Sequence, residues 1–292
     1  MNIRKKILNI LTRILLGRPI ITKAKVATYA PNQLLEKRCA IITGGTSGIG
    51  FAIAEAFLKA GATVIITGRG QSKISNALQE LNKYGTAYGY VLNNQNVNKF
   101  DSALDEMLKL LPDASRQIDI LVNNAGIGVG YSYPNTTEED YDTILGTNLK
   151  GAYFLSQTFG KYLVRNNIKG NILNIESSSS LRYGNTPYVL SKWGLRSLTL
   201  GLAKTLAPFG ITVNAIAPGP TATPMLNVNA TENITHEKLP LGRYILPEEV
   251  ANGAVFLVSD MGRAILGDTI YMTGGAGLLT QDDVPYNFNI IK

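Results

Sequence analysis

A Rossmann-type α/β fold, with a doubly wound seven-stranded parallel sheet in a single domain, is what this chain predicts, and three observations carry the prediction. Short apolar runs rich in β-branched residues alternate with helix-patterned stretches from residue 39 onward, which calls for parallel strands joined by crossover helices. A glycine-rich turn, Thr43-Gly44-Gly45-Thr46-Ser47-Gly48-Ile49-Gly50, joins the first such run to the first helix. The 292 residues are 45% hydrophobic, enough for one large core. With no internal repeat and no second shift of composition, residues 1–37 read as an N-terminal extension and linker, and 38–292 as one folded domain.

The extension opens with a basic amphipathic pattern. At about 100° per residue, Ile3, Ile7, Leu8, Ile10, Leu11, Ile14 and Leu15 share one face, with Lys5, Lys6, Asn9, Thr12 and Arg13 opposite. Its apolar stretches are too short to span a bilayer, and it lacks the unbroken apolar core and small-residue cleavage site of a secretory signal. Such a helix suits the surface of an anionic membrane, a targeting role or docking on its own body, and residues 1–16 leave those alternatives open. Residues 17–37, with Pro19 and Pro31, read as linker.

The domain then unfolds in order. Cys39-Ala40-Ile41-Ile42 is the first strand, and Phe51 to Leu58 carries apolar residues at helical spacing. Between them, glycines allow a tight turn and close approach of backbone to a phosphate, whose charge suits a helix N-terminus. Further strands are expected at residues 63–67, 87–92, 118–122, 171–175, 211–217 and 269–272, and helices at 100–111, 143–165 and 191–207. Pro247-Glu248-Glu249 opens another helix, with proline where it is tolerated and acids that suit the dipole. The serines at 177–180 read as a polar loop after a strand.

Composition excludes several kinds of protein. One cysteine, Cys39, rules out an internal disulfide and a cysteine-rich zinc site. With a single histidine, His236, a His-based triad or a zinc alcohol dehydrogenase lacks its ligands, so no metal is expected. The net charge of +7 hints at nucleic acid only until it is located. Residues 1–38 hold nine Lys and Arg against the single acid Glu36, whereas the rest holds 19 basic and 20 acidic residues. The folded body is therefore close to neutral, and no nucleic-acid partner is expected.

Tyr188-Val189-Leu190-Ser191-Lys192 is the second informative piece. Four apart on a helix, Tyr188 and Lys192 share a face, and an ammonium beside a phenol favours the phenolate. A phenol tuned in this way donates a proton to a carbonyl or takes one from an alcohol.

Together with the G-x-x-x-G-x-G spacing of Gly44, Gly48 and Gly50, these residues resemble the short-chain dehydrogenase/reductase family over residues 38–280. Asn123-Asn124-Ala125-Gly126 is similar to the family's segment after the fourth strand, and Asn148 to the asparagine that anchors a water-linked proton relay. The segment from Pro218 through Gly219, Thr221 and Thr223 resembles the turn that contacts nicotinamide. The resemblance implies a dinucleotide held by Thr43, Gly44, Thr46, Ser47, Gly48, Ile49, Gly50, Asn93, Asn124, Ala125, Gly126, Pro218, Gly219, Thr221 and Thr223. It makes Tyr188 the acid/base and Lys192 the residue that holds the nicotinamide ribose and tunes Tyr188. Ser177 would polarise the substrate oxygen, with Ser178 as the alternative because Ser177 stands somewhat closer to Tyr188 than is usual in the family.

Cofactor choice is read at Thr67-Gly68-Arg69, where no acid is present to accept ribose hydroxyls and Arg69 suits a 2′-phosphate. NADP(H) is expected over NAD(H), although Thr46 and Ser47 stand where many NADP-using relatives carry a second basic residue. The expected activity is hydride transfer between NADP(H) and a carbonyl or secondary alcohol, with 3-oxoacyl-carrier-protein reductases as the branch it most resembles. A sugar, steroid or lipid alcohol is the alternative substrate, and a catalytically silent NADP(H) sensor or scaffold the alternative function. A homodimer or homotetramer and a cytoplasmic location, with membrane association through the arm as an option, complete the expectation. Tyr131 and Tyr183 are candidates to line the substrate pocket or to pack.

Overall fold

A computed structural model describes residues 33–112, 117–128 and 132–280 of the chain. The amphipathic segment 1–16 and Tyr131 lie outside the described residues.

Seven strands form one sheet in the order β3-β2-β1-β4-β5-β6-β7, every neighbouring pair parallel. They are β1 (Cys39–Thr43), β2 (Thr63–Gly68), β3 (Ala87–Val91), β4 (Ile120–Asn123), β5 (Asn171–Ile175), β6 (Thr212–Pro218) and β7 (Thr269–Met272). The helices are α1 (Gly48–Lys59), α2 (Gln71–Leu81), α3 (Phe100–Lys109), α4 (Glu138–Leu145), α5 (Gly151–Arg165), α6 (Pro187–Leu206) and α7 (Pro247–Val258).

Because both faces of a parallel sheet are covered, alternate residues of each strand feed two separate cores. Ala40 and Ile42, Val64 and Ile66, Ile120 and Val122, and Leu173 and Ile175 join Ile53, Phe57, Val250 and Leu257 on one face. Ile41, Ile65, Leu121, Ile172 and Val213 join Phe100, Met107, Leu155, Phe159 and Leu206 on the other. Cys39, a buried thiol, belongs to the second core.

Three expectations change in detail. The stretch 143–165 is helical throughout but changes pitch: α4 ends at Leu145, a wider π turn spans Gly146–Lys150, and α5 follows with helical backbone at both junctions. The fourth strand is shifted to Ile120–Asn123 because the chain enters it through Asp119, whose carboxylate accepts the Cys39 N–H at 2.9 Å and pairs with Arg38. Leu35, placed in the linker by its sequence, is fully buried against the α1 side of the sheet, and its N–H donates to the Ala60 carbonyl at 2.9 Å. The packed body thus begins a few residues before position 38.

Strand order reverses between β1 and β4, so the crossovers on either side leave toward opposite faces and open a crevice at the strands' carboxyl ends.

Candidate active site

A cleft of about 690 Å³ lies in that crevice. Its near end is the glycine loop. Gly44 (φ 65°) and Gly48 (φ 55°) adopt the left-handed conformation that side chains disfavour, and a Cβ on Gly50 would meet Gly44 O at 2.4 Å and Asn124 Nδ2 at 2.3 Å. Asn124 stitches the loop down, its Nδ2 donating to Thr43 O at 2.9 Å and Gly44 O at 3.2 Å. The Thr43 hydroxyl donates to Val122 O and accepts from the N–H groups of Asn124 and Ala125, both at 3.0 Å. Thr43 is itself fully buried and supports the wall rather than forming it.

Thr46, Ser47, Gly48, Ile49 and Gly50 line the cleft, with the first turn of α1 aimed into it. Ser47 caps α1 with no side-chain bond, so the orphan N–H groups of that turn face the cleft without an internal competitor. Beyond β2 the wall continues through Arg69, Gly70, Ser72 and Lys73, and past β3 through Asn93 and Asn94. Two cations therefore flank the N-terminus of α2, where sequence reasoning identified only Arg69. Asn124, Ala125 and Gly126 form the floor.

At the far end, Tyr188 and Lys192 lie in the first turns of α6, begun by Pro187 and capped by the Thr186 hydroxyl on Val189 N at 3.2 Å. Lys192 is buried, its Nζ donating to the Ile175 carbonyl at 2.8 Å and lying 5.6 Å from the centre of the Tyr188 ring. Asn148, in the π turn, stands just behind. Its Oδ1 accepts Ile127 N–H at 2.9 Å, while its Nδ2 donates to Ile127 O at 2.9 Å and Ser191 Oγ at 3.1 Å. The widened turn is what carries this amide across to α6, a common use of π geometry.

Ser177 follows β5 and caps a short 3₁₀ turn over Ser178–Leu181, its hydroxyl accepting Ser179 N–H at 3.1 Å. Both Ser177 and Ser178 are buried beside the cleft rather than in its wall. Of the turn expected at nicotinamide, Thr223 lines the cleft with Pro224 and Met225, whereas Pro218, Gly219 and Thr221 lie behind them. Thr221 spends its hydroxyl on Gly219 O at 2.9 Å, which shapes the turn. Tyr183 is 98% exposed and neither packs nor enters the cleft.

Sequence reasoning passed over Glu176. It lines the cleft yet is only 2% exposed, and burial pushes its carboxyl from an ordinary 4.5 up to about 7 against the opposing pull of hydrogen bonds from Thr199 and Thr269 and the charges of Lys192 and Arg196. Among the described residues no cluster of His, Cys, Asp or Glu is arranged to hold a metal, and no helix is long and apolar enough to cross a membrane. The cleft's chemistry fits an elongated anion: N–H groups and two cations at one end, a phenol and a buried ammonium at the other.

Comparison with known proteins agrees with that chemistry. The family model described as enoyl-(acyl carrier protein) reductase matches residues 44–277. The 3-oxoacyl-[acyl-carrier-protein] reductase FabG of Aquifex aeolicus is 37% identical over 247 residues, spanning 82% of this chain and 98% of that protein. The (2S)-[(R)-hydroxy(phenyl)methyl]succinyl-CoA dehydrogenase subunit BbsD of Thauera aromatica is 34% identical, spanning 84% and 98% respectively. A crystal structure of a short chain dehydrogenase from Bacillus anthracis superimposes with a TM-score of 0.76 at 31% identity, covering 86% of this chain and all of that one.

Proposed function

The chain belongs to the short-chain dehydrogenase/reductase family, and from that premise we propose that this NAD(P)-dependent oxidoreductase works with NADP(H) on a carbonyl or secondary alcohol, a 3-oxoacyl thioester first among them. The observation that carries the reading is the span of one cleft from the Arg69 and Lys73 cations to the Tyr188–Lys192 pair.

In this reading the N–H groups of α1 and the glycine loop hold the pyrophosphate, and Arg69 and Lys73 hold the 2′-phosphate. Lys73 supplies, from the first turn of α2, the second positive charge that the glycine loop lacks. NAD(H), with free ribose hydroxyls, would leave both cations without a partner. When bound, the reduced nicotinamide supplies hydride to the carbonyl carbon. Tyr188 gives its proton to the oxygen, and Ser177, which lies beside the cleft and keeps 9% of its surface open, has a hydroxyl hydrogen not used in capping the 3₁₀ turn and donates it to that oxygen as charge develops. Lys192 holds the ribose and its charge favours the phenolate left behind; Asn148 carries the return path for the proton. Alcohol oxidation runs the same steps backwards, so a sensor that never turned over would have no use for the acid/base pair.

The same reading includes self-association. Leu190, Trp193 and Leu200 fall on one stripe of α6 and are 48%, 43% and 56% exposed, with Tyr153 and Phe154 of α5 also exposed. Two or four copies would cover them.

The test is NADPH oxidation with a panel of ketones that includes 3-oxoacyl thioesters. Wild type is expected to turn over at least one of them, and Tyr188→Phe to lose on the order of 10²-fold or more in kcat while still binding NADPH. Binding of NADPH without turnover by wild type across the panel would leave the sensor reading standing instead.

A further inference from the structure

Among the described residues Glu176 is the single acid lining the cleft, and its hydrogen bonds serve two protonation states differently. Its N–H donates to Ile216 O at 2.7 Å, fixing its backbone to the end of the sheet, and its side chain turns inward between α6 and β7. Glu176 Oε1 is 3.0 Å from the Thr199 hydroxyl and Oε2 is 3.4 Å from that of Thr269. The Thr199 hydroxyl also lies 2.9 Å from Leu195 O and accepts from Asn174 Nδ2 at 2.9 Å.

Thr199 has one hydrogen and two acceptors for it. If Glu176 is a neutral acid, it gives its own hydrogen to Thr199, Thr199 gives its hydrogen to Leu195 O, and every group is satisfied. Once Glu176 is charged, it takes the Thr199 hydrogen and Leu195 O loses a partner. The neutral arrangement leaves fewer groups unpaired, which acts in the same direction as the burial that raises the titration range of this carboxyl.

Among the described residues the charges around it are few. Lys192 and Arg196 face it from α6, and the phenol of Tyr271, with Asp268 nearby, from the β7 side. On the other strands its neighbours in this polar network, Asn174 and through it Asn123, carry no charge. A change of charge on Glu176 is therefore felt at Lys192 first among the groups of the reaction, and Lys192 faces Tyr188.

We propose that Glu176 is a positioning residue for the Tyr188–Lys192 pair: by exchanging between neutral and charged forms it alters the net charge behind Tyr188 and so sets how the pair responds to pH. The proposal deepens the reductase reading and rests on its assignment of Tyr188 and Lys192. The sign follows from electrostatics. Ionised Glu176 offsets the Lys192 ammonium, weakens its support for phenolate and keeps the proton on Tyr188 to higher pH. Ketone reduction, which consumes that proton, is then sustained further into the alkaline range.

Glu176→Gln preserves the shape and removes the ionisation; Glu176→Ser repeats the test with a smaller neutral side chain should the amide disturb folding. Each background is paired with its Tyr188→Phe partner, so that the difference in near-ultraviolet phenolate absorbance across pH isolates Tyr188 without substrate or cofactor. The expected result is a Tyr188 transition displaced toward acid by about 0.5–1 pH unit in both neutral variants. Coincident transitions in wild type and the variants would overturn the proposal, since a purely structural Glu176 leaves them in place. The alkaline limb of kcat/KM for NADPH-driven ketone reduction should shift the same way. A shifted absorbance in a protein that reduces no ketone sinks the reductase reading but upholds the coupling, whereas an active enzyme whose variants keep the wild-type profile and absorbance sinks the coupling alone.

Discussion

Arg69 and Lys73 stand on either side of the extended Gly70 that leads from β2 into α2, and both line the same stretch of wall. Each is expected to contribute a charge-assisted contact to a phosphate, on the order of 1.5–3 kcal/mol. Arg69→Ala and Lys73→Ala should each weaken NADPH binding about 10- to 100-fold by fluorescence titration and leave NADH binding within about twofold, on the same energy scale. Equal losses for both coenzymes would assign these side chains to the general fold of the cleft. The place of Arg69 on the cleft wall was legible because it directly follows the second strand, at the carboxyl edge of the sheet. Lys73 was not, yet its signal was present: a second basic residue in the first turn of the helix that follows Arg69. Glu176 was hidden by the serines that follow it, which read as a solvated loop. An acid directly after Asn171–Ile175, a strand whose neighbours in the sheet are apolar, was the feature to weigh, because the strand is buried along its whole length.

At the scale of elements, the strands declared themselves as apolar runs, and the alternation of Ile41 with Ile42 or Leu121 with Val122 between the two cores is the physical content of those runs. The π turn at Gly146–Lys150 did not, because nothing local demands it: the extra residue is paid for by the tertiary bonds of Asn148 to Ile127 and Ser191. Nor was the entry to β4 visible, since it depends on a pairing across 81 residues between Arg38 and Asp119. Arg38 also donates to Asn171 Oδ1 at 2.6 Å and Val258 O at 3.2 Å, tying together the amino ends of β1 and β5 and the close of α7. Burial holds the Asp119 carboxyl above its ordinary range, against the opposing pull of Arg38 and the Cys39 N–H. Removing the cation leaves a largely buried carboxylate with fewer partners. Arg38→Ala is therefore expected to lower stability by about 3 kcal/mol in denaturant titration at neutral pH. A loss below roughly 0.5 kcal/mol would show the pair to behave like a solvated surface bridge.

For the whole molecule, the exposed stripe on α6 makes the state of assembly the natural observable. Light scattering at micromolar concentration is expected to give the mass of two or four chains. Leu200→Glu, which places a charge in the stripe without touching the cleft, should lower that mass by at least half; a monomeric wild type would contradict the self-association reading. The fold and the direction of the cleft followed from the order of strands and the glycine turn, but which helix faces remain open depends on how far the flanking side chains cover them, and no one-dimensional pattern records that. A separate consequence lies in how the cleft is divided. The Arg69–Lys73 end hangs on β2 and α2, while the Tyr188–Lys192 end hangs on α6 beside β5, three strand spacings or about 14 Å across the sheet. At such separations substitutions combine almost independently. Under the reductase reading, coenzyme choice and acid/base chemistry are thus separately editable traits, so a lineage built on this scaffold can trade one without renegotiating the other.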